Sequence, residues 1–159
     1  MNVKNLTYAG ADLLTSTFAG QVTITISGLL VRYAQNKADA HATGTNFGYT
    51  QDVKKATIGD FLDSTGTSGG AVIDIASTIF PLTATSENYT NNKITYQFSF
   101  GAGELGVDFT PDTSEIYFVG LWDESNTTLL SVLEIDEDNL FTLSGSQQMD
   151  LAYDFSILV

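Results

Sequence analysis

Three stretches of this chain alternate apolar and polar residues with a period of two, and that spacing limits the fold more than any other feature. Val22, Ile24 and Ile26 are separated by Thr23 and Thr25, and Ile94, Tyr96, Phe98 and Phe100 by Thr95, Gln97 and Ser99. Leu151, Tyr153, Phe155 and Ile157 close the chain in the same way. Successive side chains of a strand point to opposite faces, so each run coats one face of a sheet with apolar atoms and leaves the other to water. Such faces must be buried against one another. The expected fold is mainly β, with antiparallel sheets stacked in the manner of a β-sandwich and one short N-terminal helix; an α+β arrangement is the alternative.

The helix is read from Leu6, Ala9, Leu13, Leu14 and Phe18, whose spacing of three to five fits one helical face, with Gly20 placed to end it. Further strands are expected from Leu29 to Tyr33, with Gly28 marking a bulge or a break, and at Ala71–Ile75, Thr78–Thr83, Glu115–Trp122, Leu129–Ile135 and Phe141–Leu143. Asp123–Thr127 and Asp136–Asn139 read as turns. Between Ala34 and Gly70 both periodicities disappear, apart from one possible helical turn at Ile58–Leu62. A connection of that length is uncommon in a compact domain unless it packs as a unit or meets a partner. Its aromatics Phe47, Tyr49 and Phe61, together with Trp122, are the candidate partner-binding residues.

Composition narrows the function. The 159 residues suit a single domain, residues 1–159. Nineteen Asp and Glu against six Lys and Arg give a net charge of −13, which opposes a phosphate backbone or an anionic membrane surface, so neither nucleic acid nor membrane insertion is expected. No run approaches the roughly 20 apolar residues of a membrane helix, and the first ten residues do not read as a secretory signal. With no cysteine there is neither a disulfide nor a thiolate site.

Specific chemical sites are weakly marked. Asp12, Asp74, Glu104, Asp108, Glu115, Asp123, Glu124 and Glu134 offer carboxylates for a glycosidase pair, but surface and turn positions are the ordinary use of such residues. Asp136, Glu137, Asp138 and Asn139 open like a calcium loop, yet Phe141 and Gln147 stand where that loop needs Gly and Glu. The single histidine, His41, has no nucleophile elbow near Ser27, Ser64 or Ser68 and reads as a loop residue exposed to water. Gly66–Gly70 lacks the order of a phosphate or dinucleotide loop and reads as a flexible turn. An aromatic cluster of Tyr117, Phe118 and Trp122 fits a sugar-stacking platform, although core packing is the commoner use. No catalytic residue, metal site or cofactor is expected.

The two ends of the chain resemble a known family. Thr7, Gly10 and Leu13, followed by Gly20, Val22 and Ile24, and later Val119–Asp123, Leu129–Leu133 and Leu151–Ile157, are similar to the N-terminal domain of phage tail-collar fibres and related baseplate appendage proteins. A glutamate that this family places two residues before the Gly-Leu pair is Phe118 here, and Ala34–Gly70 has no counterpart. The resemblance implies a structural virion protein, assembled in the host cytoplasm, that joins fibres or adhesins to a tail or baseplate. It implies other tail proteins as partners, a symmetric homo-oligomer, and neither enzymatic activity nor cofactor. A carbohydrate-binding adhesin using Trp122 and Tyr49, or a capsid decoration protein, is the alternative, and a two-carboxylate hydrolase the third reading.

Overall fold

The computed structural model describes residues 3–42, 44–79 and 93–156. Its strands form two antiparallel sheets, so the chain is mainly β. In the first sheet the order is β1 (Val3–Leu6), β7 (Thr128–Glu134), β6 (Glu115–Asp123), β2 (Gly28–Ala34) and β3 (Gly69–Asp74). A second sheet holds β4 (Ser77–Ile79), β5 (Lys93–Gly101) and β8 (Gln148–Ser156). The parts of the Thr78–Thr83 and C-terminal expectations beyond Ile79 and Ser156 lie outside the described residues.

Alternation did its work where it was clearest. Phe98 and Phe100 of β5 and Tyr153 of β8 meet Leu29, Val31 and Tyr33 of β2 and Val119 and Leu121 of β6 in one buried cluster between the sheets. Tyr153 also bridges the sheets, its hydroxyl lying 2.8 Å from that of Ser131 on β7. β2 and β6 are buried along nearly their whole length on both faces. Their unbroken apolar runs, Leu29–Val31 and Ile116–Val119, carry that signature.

The opposite face of the larger sheet is covered by residues 35–68, so the molecule has three layers. Here the expected loop folds into α2 (Lys37–Ala40), a 3₁₀ turn at Val53–Lys55 and α3 (Ile58–Leu62). The helical turn anticipated at Ile58–Leu62 is therefore present, and α2 and the 3₁₀ turn were missed because four and three residues carry no period to read.

Near the N-terminus, α1 (Tyr8–Phe18) begins after Thr7, whose hydroxyl accepts from Gly10 N–H at 2.8 Å and donates to the Leu129 carbonyl at 2.5 Å. Leu6 belongs to β1, an element the sequence did not announce. Gly20, at φ +73°, ends the helix as expected, with Gln21 N–H bonded to Ser16 and Gly20 N–H to Thr17, the pair of bonds that defines a Schellman end.

Two strand expectations fail for the same reason. Val22–Ser27 keeps its alternation, with Ile26 buried and Ile24 packed on the core, but it forms no ladder. Its backbone is instead bonded to the β6–β7 turn: Thr25 N–H to the Asp123 carboxylate at 3.0 Å and the Thr23 carbonyl to Asn126 Nδ2 at 3.0 Å. Phe141–Leu143 likewise forms no ladder and makes single bonds, Phe141 accepting from Ile116 and Leu143 from Asp112. Period two reports which side chains turn inward; it does not report whether a neighbouring backbone is in register. Gly28 opens β2 instead of bulging it, and a Cβ there would lie 2.5 Å from the Ile73 carbonyl oxygen. The β2–β6 irregularity falls at Arg32/Tyr33.

Candidate functional site

A single charged residue interrupts the apolar run of β2. Arg32 is fully buried and points from the larger sheet into the helical layer. A guanidinium carries five N–H donors that must be satisfied once removed from water. Nε donates to the Ala40 carbonyl at 3.1 Å, Nη1 to those of Asp60 at 2.7 Å and Asp63 at 3.1 Å, and Nη2 to the Asp39 carbonyl at 3.4 Å and the Ser68 hydroxyl at 3.2 Å. These carbonyls close the C-terminal ends of α2 and α3. Helices of four and five residues are far too short to persist alone, and their last carbonyls have no partner within the helix. Arg32 supplies the partners for both and places positive charge at the negative ends of two helix dipoles. Burial lowers its pKa, opposed by Asp63 and Asp60.

Carboxylates do the corresponding work at the other helix ends. Asp60 receives Thr57 N–H at 2.8 Å, closing a capping box on α3, and Asn46 N–H and Nδ2 at 3.2 and 2.8 Å, which ties the 44–48 loop to that helix. Asp39 holds Thr67 N–H at 2.9 Å and Asn36 Nδ2 at 3.0 Å, and with the Thr67 hydroxyl these bonds keep its carboxyl below the usual range.

Phe47 and Phe61 dock this layer onto the sheet. Phe47 stacks on Phe118 at 4.2 Å between centroids and meets Phe61 edge-on at 4.9 Å. Both are buried, as is Trp122, so these three of the four candidate partner-binding residues serve the interior and offer no surface. Their aromatic area is spent on the contact between layers. Tyr117 and Phe118 share this face too, because Tyr117 is the extra residue where Arg32 pairs with Phe118 and Tyr33 with Ile116.

Tyr49 alone of the four is at the surface, 63% exposed. Beneath it lies His41, which is half-buried instead of exposed as the sequence suggested. The two rings are stacked, 4.5 Å apart and 8° from parallel, while Phe118 and Tyr117 approach the imidazole edge-on. His41 Nδ1 lies 2.7 Å from the Phe47 carbonyl oxygen. A carbonyl only accepts, so Nδ1 carries the proton and Nε2 is left as an acceptor in the neutral ring. Burial lowers the His41 pKa, partly opposed by that bond and by Glu134. Around the stacked pair, Lys37, Gly48, Gln51 and Glu134 line a groove of about 190 Å³. Lys37 lies over the Tyr49 ring, 5.6 Å from its centroid, and pairs with Glu137.

No protein-family model, curated protein or solved structure matches this chain.

The remaining candidates have individual placements. Asp123 is buried and accepts from Thr25 N–H and from Asn126 N–H and Nδ2, closing the turn in which Thr127 takes a positive φ of 52°. Glu104 accepts from Gly101 N–H at 2.7 Å, Asp108 from Ser64 at 3.3 Å, and Glu115 from Tyr117, whose hydroxyl is pushed up to about 12 by burial and this neighbour. Asp136 caps a 3₁₀ turn at Glu137–Asn139. Among the described residues no three His, Asp or Glu side chains are grouped to hold a metal ion. Gly69 and Gly70 are strand residues of β3 rather than part of a flexible turn; a Cβ on Gly70 would fall 1.9 Å from the Phe61 carbonyl oxygen, so α3 rests directly on that strand. Arg32 and Lys37 were passed over in the sequence. The signal for Arg32 was available: a lone charge within Leu-Leu-Val-Arg-Tyr-Ala, in a strand with no polar face, must find partners.

Proposed function

We propose that this chain is a structural module of a phage tail or baseplate that works through protein–protein contacts and joins neighbouring subunits without catalysis. One observation carries the reading. Two of the stretches that resemble the tail-collar family, the one at Thr7–Leu13 and the one running from Val119 to Leu133, lie more than a hundred positions apart, yet they form one unit in space. Thr7 bonds to Leu129, a Cβ on Gly10 would lie 2.2 Å from the Leu130 carbonyl oxygen, and Leu13 is buried beside them. Gly120 is confined too, less tightly, with Leu129, Ser131 and Phe61 around the place a Cβ would take. The residue types of the motif are those that let α1 lie against β7 and the β6–β7 turn close, so the resemblance falls on a coherent structural element.

This unit also presents apolar groups outward. Phe18 is 83% exposed at the end of α1, and Tyr8 and Leu6 are exposed at its start. Large apolar side chains left in water at the two ends of one helix suit burial against a neighbouring subunit. The test is sedimentation of the purified chain together with mass spectrometry of purified particles. The expected result is a defined oligomer that Phe18→Asp weakens, with the chain present in the particle. A monomer at high concentration that is also absent from particles overturns the proposal.

A further inference from the structure

We infer that the groove beside Tyr49 is a carbohydrate subsite that takes one sugar ring. Its floor is prebuilt. The 44–51 loop is fixed by the bonds of Asn46 to Asp60, by Thr45 Oγ1 to the Ala42 carbonyl at 3.0 Å, by Gln51 N–H to the Gly48 carbonyl at 2.9 Å, and by the buried Phe47 ring. A surface tyrosine held on such a loop offers contact area with little entropy left to lose on binding. One face of the Tyr49 ring is taken by His41 and the Lys37 ammonium lies over the ring 5.6 Å from its centroid, yet the residue remains 63% exposed, so the rest of the ring is open to a ligand with a cation already beside it.

Size and chemistry select the ligand. At about 190 Å³ the groove is smaller than the roughly 300–1,000 Å³ of sites for larger organic ligands, and most of the side chains around it are polar. Lys37 and the Gln51 amide supply donors; Glu134, the Gln51 oxygen and His41 Nε2 supply acceptors. Both kinds of group lie beside one aromatic face. A sugar presents the complement, an apolar ring face flanked by hydroxyls that donate and accept, whereas the apolar anchor of a peptide would find little to bury it. Three of the chain's six basic residues, Lys37, Lys54 and Lys55, lie on this layer and offset the acidic field locally. The subsite stands independently of the assembly role proposed above, since α1 is not part of it.

The experiment is chemical-shift mapping of the full-length, isotope-labelled chain titrated with glucose, galactose, N-acetylglucosamine and N-acetylneuraminic acid, then with short oligomers of any that bind. At least one should produce saturable shifts centred on Lys37, Gly48–Gln51 and Glu134. Tyr49→Ala should weaken its binding about tenfold or more, while Phe18→Ala, at the exposed end of α1, leaves it unchanged. If Tyr49→Ala disturbs the loop, Glu134→Gln and Gln51→Ala carry the same test with the ring in place. No shifts with any of these sugars at their highest soluble concentration, shifts located elsewhere, or binding indifferent to all three groove variants overturns the inference.

Discussion

The two faces of the larger sheet are held by different physics. Toward the smaller sheet the contact is apolar and periodic: Leu29, Val31, Val119 and Leu121 meet Phe98, Phe100 and Tyr153, and polar groups enter mainly as the Tyr153–Ser131 pair. Toward the helical layer a comparable aromatic contact surrounds a buried guanidinium whose donors go to four backbone carbonyls and one hydroxyl. Apolar burial is tolerant of direction, whereas a hydrogen-bonded cation fixes where each carbonyl must lie. The first face holds two sheets together; the second gives a segment with little secondary structure of its own a single conformation. The exposed Tyr49 groove belongs to that second face.

Matched substitutions, one on each face, should break the comparison most sharply. Phe98→Ala empties a fully packed position between the sheets and should cost about 3–5 kcal/mol in denaturant unfolding, lowering the stability of the whole domain. Arg32→Ala should cost a similar or slightly smaller amount, about 3–4 kcal/mol, because several buried carbonyls lose their donor. Its distribution should differ. The orphaned carbonyls regain water if residues 36–68 lift from the sheet, so hydrogen exchange should accelerate there while β5 and β8 keep their protection. Loss of protection spread evenly over both sheets would show instead that the layers unfold as one unit. Arg32→Lys should recover little, since one ammonium cannot reach carbonyls on both helices in the guanidinium's geometry.

Removing the cap of a single helix is the smaller disturbance. Asp60→Ala takes away the acceptor for Thr57 and Asn46, and a lost cap costs about 0.5–2 kcal/mol. The expected outcome is a modest fall in denaturation midpoint with faster proteolysis near 44–63, and little change in the exchange of β5. An effect as large as that of Arg32→Ala would mean that the helices depend on their own caps more than on the common cation.

The same division decides what the sequence disclosed. Alternation at Ile94–Phe100 and Leu151–Phe155 located β5 and β8, and the double-sided apolar runs located β2 and β6, because apolar burial writes a period into the chain. The Thr7, Gly10 and Gly20 positions of α1 were legible too, since capping and close approach need particular residues at particular offsets. Residues 35–68 wrote no period. Their order depends on a residue in β2 and on carboxylates that bond to backbone up to 28 positions away, as Asp39 does to Thr67. For that reason Phe47, Phe61 and Trp122 looked like free recognition aromatics when they are the contact between layers. Tyr49 is exposed because its neighbour in sequence, Phe47, already fills the interior, a distinction that requires the positions of Phe118 and Phe61.

The mildest perturbation distinguishing the two faces is a change of pH. His41 touches the helical layer and β6 but nothing between the sheets, and its surroundings are Glu134 on β7, Lys37 on α2, Arg32 on β2 and the hydroxyls of Tyr49 and Tyr117. Its pKa in the fold is below the ordinary 6.5, chiefly through burial, so the unfolded or opened chain binds the proton more readily than the closed one. Stability from this residue is therefore complete above about pH 6.5 and declines as pH falls through the interval down to the folded-state value, below which it changes no further. Asp39 and Asp52, whose carboxyls are held below the usual range by hydrogen bonds, titrate at lower pH than ordinary carboxylates. Exchange of the amides near 41–51 should quicken as pH falls through the interval, after correction for the intrinsic pH dependence of exchange, while corrected exchange in β5 stays level. His41→Asn retains a donor toward the Phe47 carbonyl but no titrating group, and should flatten the response. If the wild-type profile is already flat, or if the variant keeps it, proton binding at His41 is not coupled to closure of the layer.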